Sequence, residues 1–292
     1  ISGGGSPRCS FSSTPLLRIW NGFSIVSSDA LICPGRQSSH FARTKRTGTN
    51  MTSLIVGASG ATGRLLVEEL LNCGQAVRIV VRSIESLPET VKGHANLSVI
   101  EKSILDISNT DMITLVRGCH AVVSCLGHNL TLQGIYGRPR RLVTDAVRRL
   151  CDTIRENEQK GPVKFILMNT TGNRNHDLDE RISFSQKCVI GLLRLVLPPH
   201  VDNEKAANYL RTKIGQNHPQ IQWVAVRPDG LIDETEVTNY KIFESPTRSA
   251  IFDAGTTSRI NVAHFMAKLI NSDKTWNTWK GKMPVIYNSA ST

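Results

Sequence analysis

The sequence predicts an α/β fold built on a doubly wound parallel sheet, and three observations carry that expectation. From Met51 onward, short apolar runs alternate with amphipathic helical patterns. The runs are continuous rather than alternating, as expected of strands covered on both faces. Between the first run and the first helix lies the glycine-rich turn Gly57-Ala58-Ser59-Gly60-Ala61-Thr62-Gly63. Right-handed crossovers then make the doubly wound order the default.

In order along the chain, Ser53–Val56 reads as the first strand and Gly63–Cys73 as its helix. Ala76–Val81 is the second strand, and Leu97–Ile100 a short third one followed by a helix over Asn109–Arg117. Ala121–Ser124 is the fourth strand, Pro139–Asn157 a long helix with one apolar face, and Val163–Met168 the fifth strand. Ser183–Pro199 is the most apolar region, but Lys187 and Arg194 interrupt it, so it reads as an amphipathic covering helix. A further helix opens at His200, with Asp202 or Asn203 as its N-cap, and Val224–Val226 is the sixth strand. The segment after Asp229 reads as a small C-terminal cap on the same sheet. Residues 51–292 therefore form one domain, preceded by an extension over 1–50.

That extension is basic, rich in Ser and Arg, and carries the single acid Asp29. It fits two readings, a transit peptide or upstream translation before Met51. The expected location is cytoplasmic, or mitochondrial or plastid if the extension is a transit peptide. No apolar run approaches the length of a membrane span. Much of the net charge of +11 is local to the extension, and no helix-turn-helix, zinc-finger or RNA-recognition string occurs downstream, so nucleic acid is not an expected partner. The seven cysteines form no CxxC pair and no metal-ligand spacing, and no metal site is expected.

The strand, glycine turn and helix in immediate succession carry the chemistry. Free backbone N–H groups and the positive end of a helix dipole converge there, which suits a pyrophosphate, and the context makes a dinucleotide the expected ligand. The second strand ends in Val80-Val81-Arg82-Ser83. An acid near this position binds a ribose 2′-hydroxyl, whereas an arginine suits a 2′-phosphate, so Arg82 favours NADP over NAD. Arg64, just after the last glycine, is a second candidate for that phosphate.

The chain from about Met51 to Tyr287 resembles the atypical short-chain dehydrogenase/reductase group that contains NmrA-like proteins and biliverdin reductase B, a Rossmann-type family. Its glycine loop GASGATG resembles that family's GATGxTG, and Val80-Val81-Arg82-Ser83 with Leu87-Pro88 resembles its second strand. The run from Gly118 to Gly127 resembles the fourth strand, Trp223-Val224-Ala225-Val226-Arg227-Pro228 the sixth, and Ser258–Met266 the late S-R-x-I…H-F-M element. The resemblance implies that Gly57, Ser59, Gly60, Ala61, Thr62 and Gly63 cradle the pyrophosphate, with Arg82 on the 2′-phosphate. It implies that Ser103 stands where an acid often meets adenine, and that Leu126 and Gly127 pass beside the nicotinamide ribose. Arg227 and Pro228 would meet the nicotinamide carboxamide through backbone.

The resemblance is incomplete where catalysis is concerned. The Tyr-x-x-x-Lys pair of conventional short-chain dehydrogenases is missing from its usual place; Tyr209 and Lys213 have the spacing but come late in the chain. Thr170 or Thr171, after the fifth strand, could orient a carbonyl. His128, just past Gly127, is the first candidate for a proton donor, with His200 second. Where relatives carry Lys or His, this chain has Asn203; Lys205 is two residues along, about 200° around a helix. The expected function is an NADP(H)-dependent oxidoreductase passing hydride to a small planar or carbonyl acceptor. The alternative is a non-catalytic NADP-binding regulator or scaffold of NmrA-like type, whose partner would be another protein.

Overall fold

A computed structural model describes residues 51–289 apart from 130, 158, 160 and 181. The two readings of residues 1–50 lie outside the described residues. Ten strands and eight α-helices follow in the order β1 (Thr52–Val56), α1 (Gly63–Asn72), β2 (Ala76–Val81), β3 (Leu97–Glu101), α2 (Asn109–Val116), β4 (Cys119–Ser124), α3 (Leu132–Tyr136), α4 (Leu142–Glu156) and β5 (Val163–Met168) among the described residues. The second half comprises α5 (Phe184–Val196), α6 (Pro198–Tyr209), β6 (Ile221–Pro228), β7 (Gly230–Ile232), β8 (Tyr240–Phe243), β9 (Thr256–Ser258), α7 (Arg259–Asn271), α8 (Asp273–Trp279) and β10 (Val285–Asn288).

The main sheet runs β3-β2-β1-β4-β5-β6-β10-β8. Its pairings are parallel up to β6–β10, and β8 joins antiparallel. The 3-2-1-4-5-6 order is that of a Rossmann-type doubly wound sheet, which reverses direction between β1 and β4. One face buries Ile55, Ile79, Val123, Val224 and Val226 with α1 and α7; the other buries Leu54, Val56, Val122, Phe165 and Trp223 with α4 and α6. Alternate residues of each strand thus enter different cores, which is why the strands read as unbroken apolar runs. In α4 the buried positions Val143, Ala146, Val147, Leu150, Cys151 and Ile154 recur at helical spacing.

The expected covering helix over 183–199 ends sooner, at Val196, because Pro198 and Pro199 start a new helix, α6. The sixth strand extends three residues earlier and two later than the apolar core Val224–Val226. The segment after Asp229 also enlarges the sheet: β10 pairs with β6 at Val285–Arg227 and Ile286–Pro228, and β8 closes that edge. A separate two-stranded ribbon, β7–β9, lies beside them.

Candidate active site

All six strands of the doubly wound order end on one side, and the loops beyond them form a cleft. Gly57 starts the turn after β1 with φ of +78°, and a Cβ there would come within 2.6 Å of the Cys125 backbone. Only glycine lets the turn lie this close to the end of β4. Gly63 is equally confined, since a side chain would run into the Gly57 carbonyl. The turn is closed by Gly60 N–H donating to Gly57 O at 3.0 Å and Arg64 N–H to Gly60 O at 3.0 Å. Cys125 N–H donates to Val56 O at 2.9 Å, joining the loop after β4 to the same edge. The amides of Ser59 and Ala61 donate to no described residue, and the first turn of α1 carries no acid. That leaves N–H donors at a helix N-terminus, a cradle for an anion.

A cavity of about 300 Å³ lies on this turn and includes Gly57, Ser59, Gly60, Ser103, Leu126 and Gly127 in its wall. It continues past Gly127 into a second of about 310 Å³, against His128, Gln133 and Arg138; Arg82, Pro139 and Leu142 border both. The walls carry three cations, Arg82, Lys102 and Arg138, and no Asp or Glu. Lys102 has Asp111 at 3.3 Å, whereas Arg82 and Arg138 meet no carboxylate among the described residues. Low-dielectric walls of one sign concentrate the field in such a cleft.

Other expected residues have different surroundings. Thr62 is buried and Ala61 exposed beside the turn, while Arg64 is exposed on α1 and forms no part of either cavity wall. Arg227 is tied into the fold by its side chain. It is fully buried, and its guanidinium donates to Glu180 at 2.7 and 3.1 Å and to the carbonyls of Met283, Asn173 and Glu244. Its amide donates to Pro284 O at 2.7 Å. Strand alternation turns Arg227 away from the core side that Val226 faces, into a buried ion pair. Its donors are all used in holding the loops together. Lys205 is exposed, because Asp202, Asn203, Ala206 and Ala207 form the buried face of α6; it lines neither cavity. Tyr209 also lies outside the cleft. Its hydroxyl is 3.4 Å from Asp152 on α4, Arg148 stacks on its ring, and burial pushes its pKa up to about 12.

The loop after β5 is fixed from behind. Asn169 Nδ2 donates to Asn203 O at 3.0 Å, and Asn203 Nδ2 to Pro199 O at 3.1 Å, so Asn203 is engaged as a clamp. Thr170 Oγ1 accepts from the Gly172 amide at 3.3 Å. Thr171 is buried, has its amide 3.4 Å from Pro228 O, and borders a third cavity of about 480 Å³. His200 is buried against Gly172, with Nε2 3.4 Å from Glu204. At the end of β6, Asp229 is fully buried: Oδ2 accepts from Gly255 N–H at 3.3 Å, Oδ1 has no partner among the described residues, and burial pushes the carboxyl up to about 9.

His128 is the expected residue with the most developed surroundings. Its Nε2 lies 2.8 Å from Asp202 Oδ2, with both side chains nearly inaccessible. Asp202 also accepts from Val143 N–H at 2.8 Å and Thr144 N–H at 3.0 Å, so it caps α4 from another helix instead of starting its own. Burial would raise its pKa, but His128, Thr144 and the two amides together hold it below the usual carboxylate value. A carboxylate only accepts, so Nε2 carries the proton that faces Asp202. Sequence reasoning missed Asp202 in this role, 74 residues from His128, and it missed Arg138. Among the described residues no group of three His, Cys, Asp or Glu could hold a metal ion, and no helix is long and apolar enough to cross a membrane.

A protein-family profile described as NAD(P)H-binding matches residues 57–273, from the glycine turn to the start of α8. The chain belongs to this NAD(P)H-binding family. No match is found among curated protein sequences. Solved structures with the same architecture include an oxidoreductase from Lactococcus lactis, TM-score 0.59 at 17% identity over 83% of this chain and 93% of that one. An anaerobillin reductase from Escherichia coli O157:H7 has TM-score 0.56 at 16% identity over 83% and 99%. A short-chain dehydrogenase/reductase from Veillonella parvula DSM 2008, solved in complex with NADP, has TM-score 0.56 at 15% identity over 82% and 95%. At these identities the likeness establishes the Rossmann-type fold alone. Family membership establishes a NAD(P)H-binding protein, and the tight glycine turn with its unused amides fits that ligand.

Proposed function

We propose that the chain is an NADPH-dependent reductase that acts on a small planar or carbonyl acceptor. The observation that carries this reading is the charge of the cleft: Arg82, Lys102 and Arg138 line it and no carboxylate does. An acid selecting the ribose 2′-hydroxyl is missing from these walls, and a guanidinium suits a 2′-phosphate through paired, charge-assisted hydrogen bonds. The NADP complex of the Veillonella protein is consistent with this preference.

When bound, NADPH supplies a hydride. The chain's own residues hold and orient. Gly57, Ser59, Gly60, Ala61, Thr62 and Gly63 form the pyrophosphate cradle, Arg82 takes the 2′-phosphate, and Ser103 borders the adenine end. Leu126, Gly127 and Pro228 flank the nicotinamide end, with Thr171 beside the acceptor. His128, held by Asp202, would relay to the reduced acceptor a proton that its Nδ1 first takes up from solvent, a role in which general acids contribute about 10²- to 10⁴-fold. Its side chain is bordered by the cavity that begins at Gly127. One observation favours the scaffold alternative: with the Tyr209 hydroxyl turned to Asp152 of α4, none of the three cavities has a tyrosine in its wall.

The test is calorimetric titration of NADPH and NADH into the protein and its Arg82→Asp variant. NADPH binding is expected to weaken by about tenfold or more, with NADH changed little. Equal losses for the two nucleotides would refute the role of Arg82. Steady-state NADPH oxidation with quinones, flavins and aldehydes then separates the two functions. Tight NADPH binding without turnover of any of them would leave the scaffold.

A further inference from the structure

We propose that the acceptor is an oxyanion-bearing molecule, and that its carboxylate or phosphate is bound by Arg174 in the cavity of about 480 Å³ beyond the β5 loop. This rests on the reductase reading, in which Thr171, a residue of the cavity wall, stands beside the acceptor. Its size suits a molecule of one to three rings.

The charged residues in the wall of the cavity are Arg174, Asp179, Glu180 and Arg248, and two of them are tightly paired. Glu180 is held by Arg227 at 2.7 Å and by the Asn175 amide at 2.7 Å. Arg248 makes a two-point pair with Asp253 at 2.7 and 3.0 Å. Arg174, whose side chain is 32% exposed, makes no hydrogen bond to any described residue and has only a loose contact of 4.0 Å with Asp179, a carboxylate 86% exposed to solvent. The Arg174 Nε atom is itself buried and has no acceptor. A buried guanidinium N–H without a partner is unfavourable in the protein alone, and a bound oxyanion supplies the missing acceptor.

A second feature points the same way. The N-terminus of α5 opens on this cavity, with Ser183 and Gln186 in its wall. Ser183 caps the helix through the Gln186 amide at 3.1 Å, and no acid occupies the first turn. The dipole at this thirteen-residue helix start therefore adds to the field of Arg174 instead of being neutralised. The guanidinium, the helix start and the nearby nicotinamide end favour a flat acceptor with its reducible group toward Thr171 and its anionic group toward Arg174.

The test uses matched probes that differ in one anionic group: riboflavin with FMN, and benzaldehyde with 4-carboxybenzaldehyde. Each is titrated by calorimetry into the wild type, Arg174→Met and Arg174→Lys, with and without saturating NADPH, which keeps probes out of the dinucleotide cleft. The anionic member of at least one pair is expected to bind the wild type about tenfold or more tightly than its neutral twin. Arg174→Met should abolish that preference and Arg174→Lys keep part of it, with circular dichroism reporting the fold of both. The phosphate and carboxylate pairs identify which anion is meant. Absence of discrimination in the wild type, or its survival in Arg174→Met, would overturn the proposal. Arg174-dependent discrimination in a protein that does not bind NADPH would support the anion site and refute the reductase reading. NADPH binding without discrimination would do the reverse.

Discussion

Replacing Gly57 by alanine tests the contact on which the cleft is built. Gly57 and Gly118 have nearly the same left-handed backbone, φ of +78° and +73°. An alanine in that region costs about 1–2 kcal/mol, offset by roughly 0.4–1 kcal/mol from a less flexible unfolded chain. At Gly118 nothing lies within 4 Å of a new Cβ, so only this conformational cost applies and Gly118→Ala should lose about 1 kcal/mol. At Gly57 the Cβ would meet backbone atoms of Cys125 and Leu126 at 2.6–2.8 Å. Backbone cannot swing aside as a side-chain tip can, and such overpacking adds about 1–3 kcal/mol. Gly57→Ala should therefore lose roughly 2–4 kcal/mol, read as a lower urea midpoint at unchanged m-value by tryptophan fluorescence. NADPH affinity should fall in Gly57→Ala and not in Gly118→Ala, because Gly118 precedes β4 while the cleft lies beyond its other end. Equal destabilisation by the two substitutions would refute the close approach of the glycine turn to β4.

Two further outcomes concern buried charge. Asp202→Asn sets an NH₂ group against the α4 amides and should cost about 1–3 kcal/mol at pH 7. Because the folded-state pKa of Asp202 is lowered, its contribution is complete above the unfolded value near 3.9 and is lost as pH falls through the folded value. The gap between wild type and variant should thus close in acid, measured by thermal melting from pH 7 to pH 3; a gap constant with pH would refute the ion-paired cap. Arg227→Met leaves Glu180 buried without its partner and should cost about 3–5 kcal/mol, much of it recovered when Glu180→Leu is added. Additive losses in that double variant by urea unfolding would argue against the pair.

The first half of the fold was legible because its signals are local. Each parallel strand is a run whose alternate residues enter two apolar cores, and α1 and α4 carry their burial pattern within a few turns. The strands β8 and β10 were not legible. Both are four residues long, and β10 meets β6 through only two paired positions. Nothing near Val285 in sequence indicates that its partner is Arg227. The two prolines at 198 and 199 were visible, yet the apolar character of the preceding run assigned them to its end, so the helix expected from His200 starts two residues earlier.

The site divides by the same criterion, and its arginines make the reason explicit. A phosphate cradle is a property of one turn and one helix start, so the glycine segment could be read directly. Whether an arginine binds a ligand or stabilises the fold depends on whether a carboxylate reaches it, and that carboxylate comes from elsewhere in the chain. Arg227 stands beside Pro228 in a family-like string, but Glu180, 47 residues away, neutralises it. Arg174 lies in a loop without any motif, and no carboxylate approaches within hydrogen-bonding distance. His128 obeys the same rule with the opposite result, since the distant Asp202 gives a loop histidine one tautomer and a fixed position. Residue type and local spacing therefore locate the cleft, while its chemistry is decided by long-range pairing: cations left unpaired at its walls can meet an anion, and those already matched cannot.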